Sequence, residues 1–323
     1  MSKAMYVGIA DKAHKVKKLY VGVDGIARKV KKAYIGVNGI ARQFYSANPF
    51  VSYSGAYTVS DVTANGVPCK LYTFTGSGTL VLSDNAEYWM CGGGGGGGDG
   101  FPVTGESYTG LTRGGGGGGG GYTNNGTLAA GTYVVTIGAG GKAKKSGTRT
   151  TLGTNYANGG VGSVTELITG TTNTTMTSGD GASGGGGACA WMESTEGYYV
   201  PPGKGQGKST CPFGATELKA HSAGGGGGTY WDYLSQRYNV GGQGGSNGSD
   251  GKGYGASTTT SAQSQGGEYG GGKGGLYGMG NATAATFYGG GGGGGYAEVY
   301  ESAVVSGAGA AGYQGVVYLL IPA

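Results

Sequence analysis

The chain has 323 residues, among them 82 glycines, 25 tyrosines and only 6 phenylalanines. An ordinary chain holds about 7% glycine, and such an excess without a Gly-X-Y period usually marks disorder; a charged fraction of only 12%, with strand-forming segments between the glycines, argues for a folded glycine-rich β protein. Residues 1–45 carry ten Lys/Arg against Asp11 and Asp24, a net +8, and the other twelve Lys/Arg and fifteen Asp/Glu give −3, so the overall +5 comes from the N-terminal segment.

Met1 to Tyr6 lacks the apolar run of a signal peptide, and no stretch approaches the ~20 apolar residues of a membrane span. Export by that route and membrane insertion are not expected. Residues 1–46 read as a 14-residue repeat. Tyr6-Val7-Gly8-Ile9, Tyr20-Val21-Gly22-Val23 and Tyr34-Ile35-Gly36-Val37 are equivalent, and each precedes a turn pair: Ala10-Asp11, Asp24-Gly25 and Asn38-Gly39. Asp-Gly and Asn-Gly are strong hairpin signals because a type I′ turn needs φ > 0 at both central residues. The spacing predicts strand, tight turn, strand, repeated as a β-meander. Hairpins alone are marginal in water, so this basic segment is expected to be an attachment module. A protein partner is favoured over nucleic acid, because its aromatic residues are not spaced as base-stacking platforms.

Residues 4–45, including Arg28-Lys29-Val30-Lys31-Lys32-Ala33-Tyr34-Ile35-Gly36-Val37-Asn38-Gly39-Ile40-Ala41-Arg42, resemble the short N-terminal repeats of tail-associated proteins from phages and prophages of Gram-positive bacteria.

Residues 47–323 form the second expected domain. Strands are predicted at 71–75, 79–82, 87–91, 132–137, 163–168, 296–305 and 314–321, giving an all-β sandwich or jelly-roll. The glycine runs 92–98, 114–121, 184–187, 224–228 and 289–295 lie between them. Glycine also recurs at every third residue from Gly242 through Gly245 and Gly248 to Gly251. A polyproline II-type helix has three residues per turn and no internal hydrogen bonds, so glycine helices of this type must bond sideways to neighbours. Packed polyglycine II helices are expected rather than flexible linkers.

Tyr72-Thr73-Phe74-Thr75-Gly76-Ser77-Gly78-Thr79, Tyr88-Trp89-Met90-Cys91 with the glycines after it, Gly131 to Gly141, and Gly315-Val316-Val317-Tyr318 resemble a glycine-rich domain of phage and bacterial surface proteins. That resemblance implies strands framing polyglycine helices, and connecting loops that bind a host in some tail-tip adhesins. Residues 188–223 depart from the pattern.

Chemistry-bearing motifs are sparse. Polyglycine generates Gly-x-Gly-x-x-Gly by chance, and the would-be phosphate loop at Gly203–Ser209 has Pro202 where glycine is required. His14 and His221 are far apart, and no metal or cofactor motif is present. Any two acids could meet in space as a glycosidase pair; Glu193 and Glu196, beside Trp191, are the best candidates, and a solvated loop is the better reading. A non-enzyme is expected, with a depolymerase as the enzymatic alternative. Cys69 and Cys91 read as buried thiols, while Cys189 and Cys211 are either a disulfide or two free thiols.

The aromatic segments between glycine runs carry the binding hypothesis: Phe101 and Tyr108; Trp191, Tyr198 and Tyr199; Tyr230, Trp231, Tyr233 and Tyr238; Tyr277, Phe287 and Tyr288. Loops on a rigid scaffold collect function, and Tyr and Trp give contact area at low entropy cost. Packing over the bundle or at a subunit interface is the competing reading. Taken with the resemblance, the expectation is a virion tail-fibre or tail-tip adhesin. It would dock to other tail proteins through residues 1–46 and bind a host-surface glycan or protein, as a homo-oligomer (a trimer by resemblance). The alternative is a purely architectural virion component.

Overall fold

The computed structural model describes residues 6–9, 12–16, 19–30, 32–37, 40–46, 48–100, 115–167, 174–189, 199–232, 237–252, 257–258, 263–276, 278, 280–300 and 303–322. The architecture is all-β, as the sequence indicates. Three N-terminal hairpins pair Tyr6–Ile9 with Lys12–Lys15, Tyr20–Val23 with Ile26–Lys29, and Lys32–Val37 with Ile40–Ser46. Asp24 and Gly25 have φ of 52° and 75°, the geometry of a type I′ turn; the other two predicted turn pairs lie outside the described residues. The expected meander is absent among the described residues, where each hairpin is a separate two-stranded sheet. The links Val16-Lys17-Lys18-Leu19 and Val30-Lys31 contain no Gly, Asn or Asp to supply the φ > 0 of a second tight turn. Tyr20, Val21, Ile26 and Tyr34 are exposed.

A sandwich follows. Its first sheet has the order Asn155–Ala157, Thr150–Leu152, Gly131–Thr136, Gly78–Leu82, Phe50–Tyr53. The second has the order Thr123–Leu128, Ala86–Cys91, Val316–Pro322, Val67–Phe74, Tyr57–Ala64. Phe74, Leu80, Met90, Val135, Leu152 and Leu319 form the core between them. The outer face of the second sheet is also covered. Leu71, Trp89, Tyr318 and Leu320 pack against Phe213, Ala215, Leu218 and Tyr288. Residues 210–222, within the segment that departs from the family pattern, thus lie across this face. Being buried on both faces explains why Val316–Ile321 is continuously apolar rather than alternating.

Cys91 runs directly into the glycine bundle, whose geometry is legible in its backbone hydrogen bonds. Gly92, Gly95 and Gly98 donate to Tyr122, Gly119 and Gly116; Gly93 and Gly96 to Thr148 and Lys145; Gly94, Gly97 and Gly100 to Tyr313, Ala310 and Gly307, all at 2.8–3.0 Å. Every third residue faces the same neighbour, and falling partner numbers make those three neighbours antiparallel. The carbonyls of Gly93 and Gly96 accept from Gly160 and Ser163, those of Gly94 and Gly97 from Gly141 and Lys144, and those of Gly95 and Gly98 from Gly292 and Gly295. Rising partner numbers make these three parallel. One threefold helix therefore has six neighbours, which is the packing expected of polyglycine II. An ideal Cβ on Gly95, Gly97, Gly118 or Gly291 would lie well inside 3.0 Å of a neighbouring carbonyl, so these positions admit only glycine.

The sequence reading errs at Gly242–Gly251. Those residues are two antiparallel passes, not one helix. Asn247 and Gly248 have φ of 48° and 88°, and Ser249 N–H donates to Ser246 O, so the chain reverses there.

His221 closes the layer over the second sheet. Its Nδ1 lies 2.8 Å from the Lys219 carbonyl, which only accepts, so Nδ1 carries the proton. Nε2 then accepts from the Tyr318 hydroxyl at 2.7 Å, with Trp89 edge-on at 5.1 Å. Burial lowers the His221 pKa to about 4 and raises that of Tyr318.

Two outcomes are expected. Gly291→Ala and Gly293→Ala should each destabilise the protein by at least about 1–3 kcal/mol, the range for overpacking. Gly131→Ala, whose Cβ meets nothing closer than 3.4 Å, should be near neutral in the same chemical denaturation. For His221, the unfolded chain binds a proton below the ordinary value of 6.5 and the folded chain only below about 4. Its contribution, on the order of 3 kcal/mol, is therefore full above pH 6.5, declines as pH falls to about 4 and is flat below. Unfolding measured from pH 7 to 4 should show that slope, reduced in His221→Gln.

Candidate functional site

The hydrogen-bond pattern fixes the direction of each pass, and so fixes which connections gather at the end away from the sandwich. Residues 92–100 leave Ala86–Cys91 outward, and 115–122 return into Thr123–Leu128. Passes 158–163 and 289–296 run parallel to 92–100, while 307–315 run back into Val316–Pro322. From Gly92 to Gly100 the helix rises about 25 Å at ~3.1 Å per residue.

At that distal end the glycine helices give way to short strands. Val164–Leu167 pairs with Thr174–Thr177, and Ala188–Cys189 pairs with Tyr199–Val200. A five-stranded sheet has the order Ser257–Thr258, Arg237–Asn239, Tyr230–Asp232, Ala297–Tyr300, Ala303–Ser306. The change is chemical. Once side chains replace hydrogens at Cα, six-neighbour packing is impossible and the chain reverts to sheet pairing.

Register brings several predicted residues together. Trp231 stands opposite Tyr238 on one side and Glu298 on the other, with Thr258 opposite Tyr238 and Val305 opposite Glu298. Tyr230 occupies the neighbouring row with Asn239 and Ala297. Tyr199 is opposite Cys189 in its own hairpin. Thr258 and Glu298 are positions the sequence reading missed. The alternation Ala297-Glu298-Val299-Tyr300 was the available signal.

Phe101, Tyr108, Trp191, Tyr198, Tyr233 and Tyr277 lie outside the described residues, as do Glu193 and Glu196. The described residues that flank the first of these segments, Gly100 and Gly115, donate to Gly307 O and Gly295 O. Tyr288 is a correction. It sits where the chain turns back near the sandwich, before Gly289 (φ 71°), with its ring stacked on His221 at 6.1 Å and edge-on to Tyr313 at 5.8 Å. Tyr288 is part of the layer over the second sheet and is removed from the distal set.

Among the described residues no cluster of three or more His, Cys, Asp or Glu could hold a metal, and no helix is long and apolar enough to cross a membrane. Cys69 and Cys91 are buried free thiols, and burial pushes that of Cys91 to about 12. Cys211 is a half-exposed free thiol, with Sγ 3.8 Å from Asn247 Oδ1. The side chain of its suggested partner, Cys189, is outside the described residues.

A sandwich continued into a six-neighbour polyglycine bundle with a distal sheet defines a glycine-rich all-β architecture. The chain belongs to the glycine-rich domain family, whose model matches residues 73–320. No curated protein and no solved structure matches it.

Iodoacetamide labelling of the native protein, read by peptide mass spectrometry, should modify Cys211 well before Cys69 or Cys91. The latter two should react only after denaturation, because reactivity requires an accessible thiolate.

Proposed function

We propose that this protein is a phage tail-fibre or tail-tip adhesin. It docks to other tail proteins through residues 1–46 and binds a glycan or protein on the host cell surface with the distal end of its glycine bundle. One observation supports this reading: the up-and-down course of the passes brings the strands that carry Tyr199, Tyr230, Trp231 and Tyr238 to one end, about 25 Å from the sandwich. Loops held on a rigid scaffold are favourable places for recognition. Trp231, Tyr238 and Glu298 share one register row across three strands, and these residue types are ones that sugar recognition uses. The hairpins support the docking half of the proposal. Their exposed Tyr20, Val21, Ile26 and Tyr34 lie in a segment of net +8, which suits a tail protein with apolar and acidic surface. A homo-oligomer, a trimer by resemblance, would supply avidity.

Labelled full-length protein should bind host bacteria saturably and compete with infection. The triple variant Trp191→Ala/Trp231→Ala/Tyr233→Ala should lose at least about tenfold in affinity, the scale of one lost aromatic hot spot, with its thermal unfolding unchanged. Undiminished binding by the folded variant rejects the distal site. An absence of binding by the wild-type protein on every host tested assigns the chain to the architectural role.

A further inference from the structure

We propose that the flank of the molecule carries a second site, for a neutral oligosaccharide, in a groove where sandwich strands pass into glycine helices. The groove is open to solvent and has a volume of about 410 Å³, within the ordinary size range of ligand sites. Its walls come from residues 122–124 and 154–158, none of them charged, and the charges beside them, Arg149 against Tyr156 and Asp180 near Tyr122, are of opposite sign. That composition disfavours phosphate, carboxylate or ammonium ligands and suits a neutral polyhydroxyl one.

The floor is an aromatic platform held in place. Tyr156 is 48% exposed. The Arg149 guanidinium lies over the ring at 4.2 Å from the centroid, and the exposed part of the ring is what a ligand would stack on. Arg149 is itself fixed, because its Nε–H donates to Asn158 Oδ1 at 3.0 Å. The Tyr156 backbone is fixed by Asn124, whose Nδ2 donates to the Tyr156 carbonyl at 2.8 Å. A flat, partly exposed ring is what the C–H face of a pyranose stacks on.

These same bonds decide which side-chain atoms of Asn124 and Asn158 stay unpaired. Asn158 spends its oxygen on Arg149, so its Nδ2 is the remaining donor. Asn124 spends its nitrogen on Tyr156, so its Oδ1 is the remaining acceptor. Neither remaining atom has a protein partner among the described residues. Thr123 is locked in turn: its N–H donates to Gln206 Oε1 at 3.3 Å and its hydroxyl accepts from Gln206 Nε2 at 2.7 Å. A preset donor and acceptor beside a ring match the vicinal hydroxyls of a sugar, and groups fixed before binding lose little entropy on binding. The site is independent of the distal aromatic row.

The test uses the full chain and a panel of neutral oligosaccharides, including maltohexaose, cellohexaose and chitohexaose, in calorimetric titration with saturation-transfer NMR. At least one should bind saturably. Tyr156→Ala should weaken it by about tenfold or more, the effect of removing one stacking platform. Tyr156→Phe should bind within about twofold of wild type, a difference under 0.5 kcal/mol. Thr154→Arg, at the exposed turn on the rim, should block binding. The proposal is overturned if no member of the panel binds. It is equally overturned if Tyr156→Ala and Thr154→Arg variants with native melting bind undiminished.

Discussion

The molecule depends on one interaction, the lateral N–H···O=C bond between glycine helices that carry no Cβ. A threefold helix satisfies none of its own backbone groups, so each N–H and C=O must be met from outside or left unpaired at a cost. In the run from Gly92 to Gly100 they are met by six neighbours, with carbonyl oxygens seated where side chains would otherwise be. Cα–H···O contacts accompany such an approach. The free-energy penalty of ordering glycine is offset only collectively, because each helix needs all of its neighbours. The bundle therefore cannot begin alone. The sandwich starts it: Ala86–Cys91 and Val316–Pro322 lie side by side and hold two of its antiparallel passes in register.

Several reversals in the bundle fall where the backbone adopts positive φ: Lys144, Asn247-Gly248, Tyr269-Gly270 and Gly289 all lie in the left-handed region. The glycine passes specify the body of the bundle.

Much of this is legible in the residues. Asp24-Gly25 marks its hairpin outright, and Gly131–Thr136 and Val316–Pro322 announce themselves through β-branched and aromatic side chains. The polyglycine packing follows from run length and the need for lateral partners. Other strands were hidden for physical reasons. Tyr57–Ala64 is an exposed edge with little apolar signal, although Asn65-Gly66 (φ 49° and 73°) marks its turn as clearly as Asp24-Gly25 marks the earlier one. Thr123–Leu128 contains Asn124-Asn125-Gly126, which reads as a turn, yet pairing with Ala86–Cys91 makes it a strand. Tyr288 resembles a loop aromatic by position, and only the fold reveals the sheet face beneath it. The row through Trp231 and Glu298 joins segments distant in sequence by parallel pairing, which no local pattern encodes.

A core built of peptide groups also has a thermal signature. Unfolding an ordinary domain exposes mainly apolar surface, which raises the heat capacity, whereas exposure of polar surface lowers it. Here the buried interior of residues 92–98, 115–121 and 290–295 is glycine backbone, so melting the bundle releases amides and few methyl groups. The heat-capacity increment per residue should fall below the usual ~12–15 cal/mol/K. The stability curve of the bundle is correspondingly broad, and its resistance to unfolding changes less between cold and warm surroundings than that of a domain held together by hydrocarbon.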